Sequence, residues 1–241
     1  MNALRTAFAY FSILPVGFAA APRAGALAAL PFVGIVLGGV AGAIGWLASF
    51  VMPPTLTIAI AFGASIVLSG AIHLDGFLDA CDALFASVPT ERRFEILKDP
   101  RHGTFALSGL AIAVPAWLAA IAALPPAAWP WSFAFCAGTA RAAAVLNAWR
   151  VPYAAGGASA RAFEERPAIA ALALGLLAAA LCCWSHPWLA VLVFPAAAGA
   201  LLLGAWCAGR LGGVLAGDCY GAIVVVLEVT LLSGVATALA R

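Results

Sequence analysis

Three aspartates, Asp75, Asp79 and Asp82, stand at i, i+4 and i+7 in the stretch HLDGFLDACD, residues 73–82. At 3.6 residues per helical turn, that spacing puts the three carboxylates on one face. Each makes the others harder to ionise, and nearness to lipid adds to the cost. A divalent cation relieves both penalties. An all-oxygen donor set suits Mg2+, which is usually held by a few carboxylates together with substrate phosphates. Asp75, Asp79 and Asp82 are therefore the candidate metal ligands. The plainer alternative is a solvated helix end whose acids pair with nearby bases, but Phe77, Ala80, Cys81 and Ala83 leave the rest of this segment apolar.

The bases follow at once, in TERRFEILKDPRHGT, residues 90–104. Thr90 can cap a short helix with an apolar side of Phe94, Ile96 and Leu97, and Glu91 and Glu95 can pair with Arg92 and Lys98. That helix should stop at Asp99, because the residue before Pro100 avoids the helical region. Arg92, Arg93 and Lys98 would serve any cytoplasmic loop as anchors. Arg101-His102-Gly103-Thr104 is more telling, since it opens the next apolar run. Gly103 permits close backbone approach and Thr104 can cap, so free amides at a positive helix end would favour a phosphate, with Arg101 adding a bidentate contact. Arg92, Lys98, Arg101, Gly103 and Thr104 are thus candidate substrate-binding residues. Acids for a metal beside bases for phosphate point to a metal-diphosphate substrate. For the proton of an attacking hydroxyl, Asp82 is the first candidate base and His73 the second, although an interfacial His is often only a hydrogen-bonded helix end. His102 is a weaker candidate, and His186 has no assigned role.

The elements that must position these groups are membrane helices. Of 241 residues, 65% are hydrophobic and 9% charged, against about one quarter charged in a soluble domain. Apolar runs of bilayer-spanning length recur. The fold class is all-α, a polytopic integral membrane bundle of about seven spans: 27–51, 55–72, 104–124, 129–149, 167–184, 187–209 and 219–240. We read residues 1–241 as a single membrane domain with a catalytic loop at about 73–104. The N-terminal stretch MNALRTAFAYFSILPVGFAAAPRA has some features of a signal peptide, but Pro15 interrupts its apolar run, and an interfacial helix is the better reading.

Alternate connections differ in charge. MPPT, PPAA and SHP carry no Lys or Arg, whereas the other side holds Arg5, Arg23, the bases of 92–101, Arg150, Arg161, Arg166 and Arg210. The positive-inside rule places that side, with the N-terminus and the acidic cluster, in the cytoplasm. Only Arg241 breaks the pattern. The net charge of +2 makes no case for nucleic acid. None of the six cysteines forms a CxxC pair, so they read as small buried side chains.

Three polar residues fall within or at the ends of later spans. Arg141 sits inside span 4, where an Arg normally faces a wet cavity or a partner. It is a candidate for phosphate binding, or a structural partner of Glu228. Asn147 could line the same cavity. Asp218, in GGVLAGDCYGA, either caps span 7 or lies over the metal site.

GAIHLDGFLDACDALF followed by RRFEILKDPRHGTF resembles the cobalamin synthase family, the adenosylcobinamide-GDP ribazoletransferases. LRTAFAYFSILPV, Arg141, and GGVLAGDCYGA with Glu228 fit the same pattern in the same order, over essentially the whole chain. The resemblance implies a Mg2+-dependent enzyme of the bacterial inner membrane that joins adenosylcobinamide-GDP to α-ribazole or α-ribazole 5′-phosphate and releases GMP. It carries the family's acidic motif onto Asp75, Asp79 and Asp82, the basic motif onto Lys98, Asp99, Arg101, Gly103 and Thr104, and the late motif onto Gly217 and Asp218. The partners implied are those two substrates and the lipid bilayer, with no nucleic acid, and a homo-oligomer is left open. Ala83, Ala106 and Val225 depart from the family pattern, Val225 where an acid is frequent. The runner-up among enzymes is a protein similar to the CDP-alcohol phosphotransferases, whose DGxxAR spacing is missing here. A cation transporter is the alternative from another class, but transport sites usually lie near the midplane. A structural scaffold leaves the three aspartates unexplained.

Overall fold

A computed structural model of the chain describes residues 3–17, 24–154, 167 and 169–240. Arg23, Arg161, Arg166 and Arg241, which entered the topology argument, lie outside the described residues. Ten α-helices follow in order among those described: α1 Ala3–Phe11, α2 Ala24–Ala48, α3 Pro54–Leu68, α4 Ile72–Phe85, α5 Thr90–Ile96, α6 Thr104–Ala122, α7 Trp129–Val145, α8 Ile169–Leu181, α9 Val193–Arg210 and α10 Gly217–Leu239. Short 3-10 turns precede α7 and α9 and follow α7. The described residues hold no strand, only an isolated bridge between Tyr153 and Leu215.

Among the described residues, four segments are long and apolar enough to cross a bilayer: Gly25–Ala48, Thr104–Ala122, Pro187–Arg210 and Gly217–Leu239. A fifth arises if α3 and α4 count as one span, but they meet at 86°. Two helices at that angle cannot both follow the membrane normal. We read α4, which bears the carboxylates, as the one lying across the bundle. The bend is made by Gly70 and Ala71, both left-handed at φ 63° and 57°. An Ala pays sterically in that region, so the turn must be held from outside. Ile13 does so by donating its amide to the Leu68 carbonyl at 3.1 Å.

Helices in lipid associate by close packing rather than by expelling water. The α2–α7 pair shows how. Gly34, Gly38 and Gly42, one every four residues, face the carbonyls of Ala137, Phe133 and Trp129, and a Cβ at any of them would come within 2.4 Å of that oxygen. Backbone lies on backbone there, and α7 is buried along most of its length. α1 packs on α2 and buries Thr6, Ala7 and Phe11. All six cysteines are free, five of them buried and Cys182 half-buried.

Candidate active site

α4 runs between α6 and α10, and glycines let it approach both. A Cβ on Gly76 would come 3.0 Å from the Asp218 Cα, and one on Gly221 would come 3.0 Å from the His73 carbonyl. This contact brings Asp218, in the first turn of α10, beside Asp75 and Asp79, within the field of both. The α10 N-cap is Ala216, so Asp218 is not the cap residue. The loop before α10 turns through Gly212 and Gly213 at positive φ and is tied to the loop after α7. There Leu215 donates to the Pro152 carbonyl at 2.9 Å, and Ala154 to the Leu215 carbonyl at 2.8 Å.

These elements enclose a cavity of about 630 Å³, with Asp75, Asp218, Lys98 and His73 on its wall. The chain has three tyrosines, Tyr10, Tyr153 and Tyr220, and all three line it. Sequence reasoning overlooked them, although their scarcity among 14 Phe and 8 Trp was a signal. Among the described residues no Lys or Arg lies within ion-pair distance of Asp75, Asp79 or Asp218. Asp79 has a weaker neighbour, His102, whose Nδ1 is 3.4 Å from Oδ1. Burial first, then the charge of Asp75, raise the Asp79 carboxyl to about 6, with His102 pulling the other way.

The cluster therefore differs from the expected one in its third member. Asp82 is turned to α6, where its Oδ2 accepts from the Gly103 amide at 2.5 Å and its Oδ1 from the Ala106 amide at 3.0 Å. The Thr104 side chain caps nothing, and Gly103 occupies the N-cap position. The expected phosphate position at this helix start is thus filled by a carboxylate of the chain itself, because an Asp satisfies the same donors.

The bases also divide. Lys98 reaches the cavity. Arg101 is turned to solvent, 86% exposed, with Nε and Nη2 on the Asp99 carboxylate at 2.9 and 2.7 Å. Those bonds hold Asp99 down at about 2. Arg92 pairs with Glu95 on the exposed side of α5. Arg93, buried, donates to the carbonyls of Ala83 and Leu84, and Arg210 donates to those of Leu84 and Ala86. Two guanidinium groups thus satisfy orphan carbonyls at the α4 C-terminus, the end that favours cations. α5 ends at Ile96, with Leu97 as C-cap, ahead of the Asp99 stop expected from Pro100.

Arg141 is not at the cavity. It is 4% exposed and paired with Glu228 of α10, and it also donates to the Ala137 carbonyl at 3.1 Å. Of the two readings weighed for it, the structural pair is the one seen. Both residues border a separate chamber of about 40 Å³, together with His73. His73 Nε2 has no hydrogen-bond partner there among the described residues. Its ring stacks on Phe11 at 6.2 Å, and burial, then Arg141, push its pKa well below the usual range. Asn147 lines neither space; it donates to the Ala200 carbonyl at 3.0 Å and fills the place a side chain at Gly204 would need.

The family model described as Cobalamin-5-phosphate synthase matches residues 3–236. A protein of Deinococcus radiodurans named adenosylcobinamide-GDP ribazoletransferase is 35% identical over 235 residues, covering 96% of this chain and 84% of the relative. Proteins of the same name from Ralstonia pickettii and Bradyrhizobium diazoefficiens are 31% and 32% identical, covering 97% and 95% of this chain and 97% and 91% of themselves. No solved structure matches. With the match running from α1 nearly to the end of α10, the chain belongs to the cobalamin-5-phosphate synthase family.

Proposed function

We propose that this protein is a membrane transferase of cobalamin nucleotide-loop assembly, joining adenosylcobinamide-GDP to α-ribazole or α-ribazole 5′-phosphate with release of GMP. The observation that carries the reading is a cavity holding unpaired carboxylates, a lysine and three tyrosines in one space. The family's named relatives supply the substrates. The bundle would be completed by seven spans, with the N-terminus and cavity on the cytoplasmic side, as the distribution of Lys and Arg argues.

Mg2+ fits the donor set by chemistry. Asp75, Asp79 and Asp218 offer hard oxygens with no Lys or Arg at ion-pair distance among the described residues. No three His, Cys, Asp or Glu side chains among the described residues form a closed metal cage, but Mg2+ usually keeps waters and takes only one or two carboxylates beside substrate phosphates. When bound, it would neutralise charge on the diphosphate and its leaving group. The residues of the chain would do the rest. Lys98 holds a phosphate oxygen across the cavity from Asp75 and Asp218. The tyrosine rings offer faces on which the benzimidazole or guanine can stack. The ribose hydroxyl attacks the phosphorus on the cobinamide side, the bond to GMP breaks, and the proton leaves to a carboxylate. Asp79, raised toward neutrality and backed by His102, suits that role better than Asp82, whose oxygens both accept amide bonds.

The test is to incubate the purified protein with adenosylcobinamide-GDP, α-ribazole and Mg2+ and to measure GMP and the joined product. GMP formed only when all three are present is the expected result. No GMP, or metal flux into liposomes without nucleotide, would sink the reading.

A further inference from the structure

We infer that Asp82, although it belongs to the acidic run, is a positioning residue: it fastens α4 to the start of α6 and so holds His102 against Asp79. The inference rests on the proposed transferase reading for its kinetic test, but its geometry stands apart from it. The N-cap and N3 amides are two of the orphan donors at a helix start, and in a capping box two side chains of the same helix satisfy them. In α6 neither does. Thr104 is already inside the helix, and no side chain of the segment bonds its start. The Asp82 carboxylate serves both amides from a different helix, at 2.5 Å to Gly103 and 3.0 Å to Ala106. It is 9% exposed, and both of its oxygens are engaged by those amides.

The approach is tight on both sides. A Cβ at Gly103 would come 3.0 Å from Asp82 Oδ1, and one at Gly109, further along α6, would come 2.7 Å from Cys81 Sγ. Helix α6 is therefore pressed along α4, with Asp82 as the polar contact at its start. His102 is the residue immediately before the amide that Asp82 holds, and its Nδ1 lies 3.4 Å from Asp79. One turn separates Asp79 from Asp82 on α4, and the chain between His102 and Gly103 closes the loop. Releasing Gly103 frees His102 from its neighbour. In this arrangement the run of three aspartates divides its labour: Asp75 lines the cavity, Asp79 stands between it and His102, and Asp82 holds the wall.

Asn tests this because its one side-chain oxygen can still accept from one of the two amides, as an Asn cap does, yet it is a poor substitute for a metal-binding carboxylate and cannot take a proton as a base. In the full-length protein, Asp82→Asn is expected to keep turnover within about threefold of wild type, with the Mg2+ concentration for half-maximal rate unchanged. Asp82→Ala should lower turnover by about tenfold and melt lower, the cap being lost. The losses from Asp82→Ala and His102→Ala should not add in the double variant, since both break one arrangement. An Asp82→Asn protein that melts above Asp82→Ala but is as inactive as Asp79→Asn would overturn the inference, because a ligand or base would then be missing. So would Asp82→Ala melting and turning over like wild type. If wild type itself makes no GMP, the transferase reading fails, and the melting order still decides: Asn between wild type and Ala supports the cap, while Ala equal to wild type overturns it.

Discussion

Two sets of charges sit in this apolar bundle and are treated in opposite ways. Arg141 and Glu228 are paired with each other across α7 and α10 and are nearly out of reach of solvent. Asp75, Asp79 and Asp218 are crowded together on α4 and α10 with no Arg or Lys at ion-pair distance among the described residues, Asp75 and Asp218 on the wall of a cavity of about 630 Å³. A buried charge costs several kcal/mol of desolvation unless it is compensated. The first set is compensated by the fold. The second, with Asp75 exposed and Asp79 and Asp218 half-buried, is left to solvent or a ligand, and it is the set we propose as the working site. An intramembrane Arg is often a functional residue; here Arg141 is engaged by Glu228.

The sharpest way to break this comparison is at Asp79. Asp79→Asn should cut GMP release by about 100-fold or more, because even outer partners of a metal site are worth 10–100-fold. The same change removes one of several mutually repelling carboxylates, so in the absence of Mg2+ the variant should melt no lower than wild type. Loss of activity together with loss of stability would put Asp79 in the same class as Glu228, and the contrast between the two sets would collapse.

Glu228 should behave in the reverse sense. Glu228→Leu leaves Arg141 buried and alone, and breaking such a pair typically costs about 3–5 kcal/mol. Replacing both, Arg141→Met with Glu228→Leu, should restore most of that loss, since apolar replacement of a whole buried pair is often neutral. Unfolding in detergent measures the first effect, and GMP release by the double variant measures the second. A double variant that is stable yet inactive would move Arg141 back among the substrate-binding residues.

These contrasts were only partly legible in the sequence. The helix that carries the three aspartates was legible, and with it the nearness of Asp75 to Asp79, because the helical period alone fixes that spacing. The Arg141–Glu228 pair could be named as one of two alternatives, since an intramembrane Arg needs an acid and only one was available in span 7. The direction of Asp82 was not legible. A helix start takes a phosphate or a carboxylate equally well, and which one arrives depends on how closely α4 approaches α6 through Gly109 and Gly103. The bend before α4 was hidden for a related reason: nothing local marks Ala71 for a left-handed conformation, which is imposed by the tertiary contact of Leu68 with Ile13. The cavity tyrosines come from α1, the loop after α7 and α10, so only the folded chain assembles them.

The smallest expected effects distinguish the two bases once read as equivalent phosphate ligands. Lys98 is at the cavity with Asp75 and Asp218, whereas Arg101 is in solvent with the Nε–Nη2 edge of its guanidinium engaged by Asp99. If the free cation is the one that meets phosphate, Lys98→Ala should lower kcat/KM by about tenfold, the usual worth of one charged hydrogen bond. Arg101→Ala should change it by less than about threefold, because an exposed pair is screened and its loss leaves nothing buried. Steady-state rates at fixed Mg2+ and varied adenosylcobinamide-GDP measure both. A large loss at Arg101 with little at Lys98 would mean that substrate draws the loop of residues 97–103 inward and takes Arg101 from Asp99. The Asp99→Asn variant would then bind substrate more tightly than wild type, since its hold on the guanidinium is weaker. With Arg101 a bystander, Asp99→Asn leaves KM where it was.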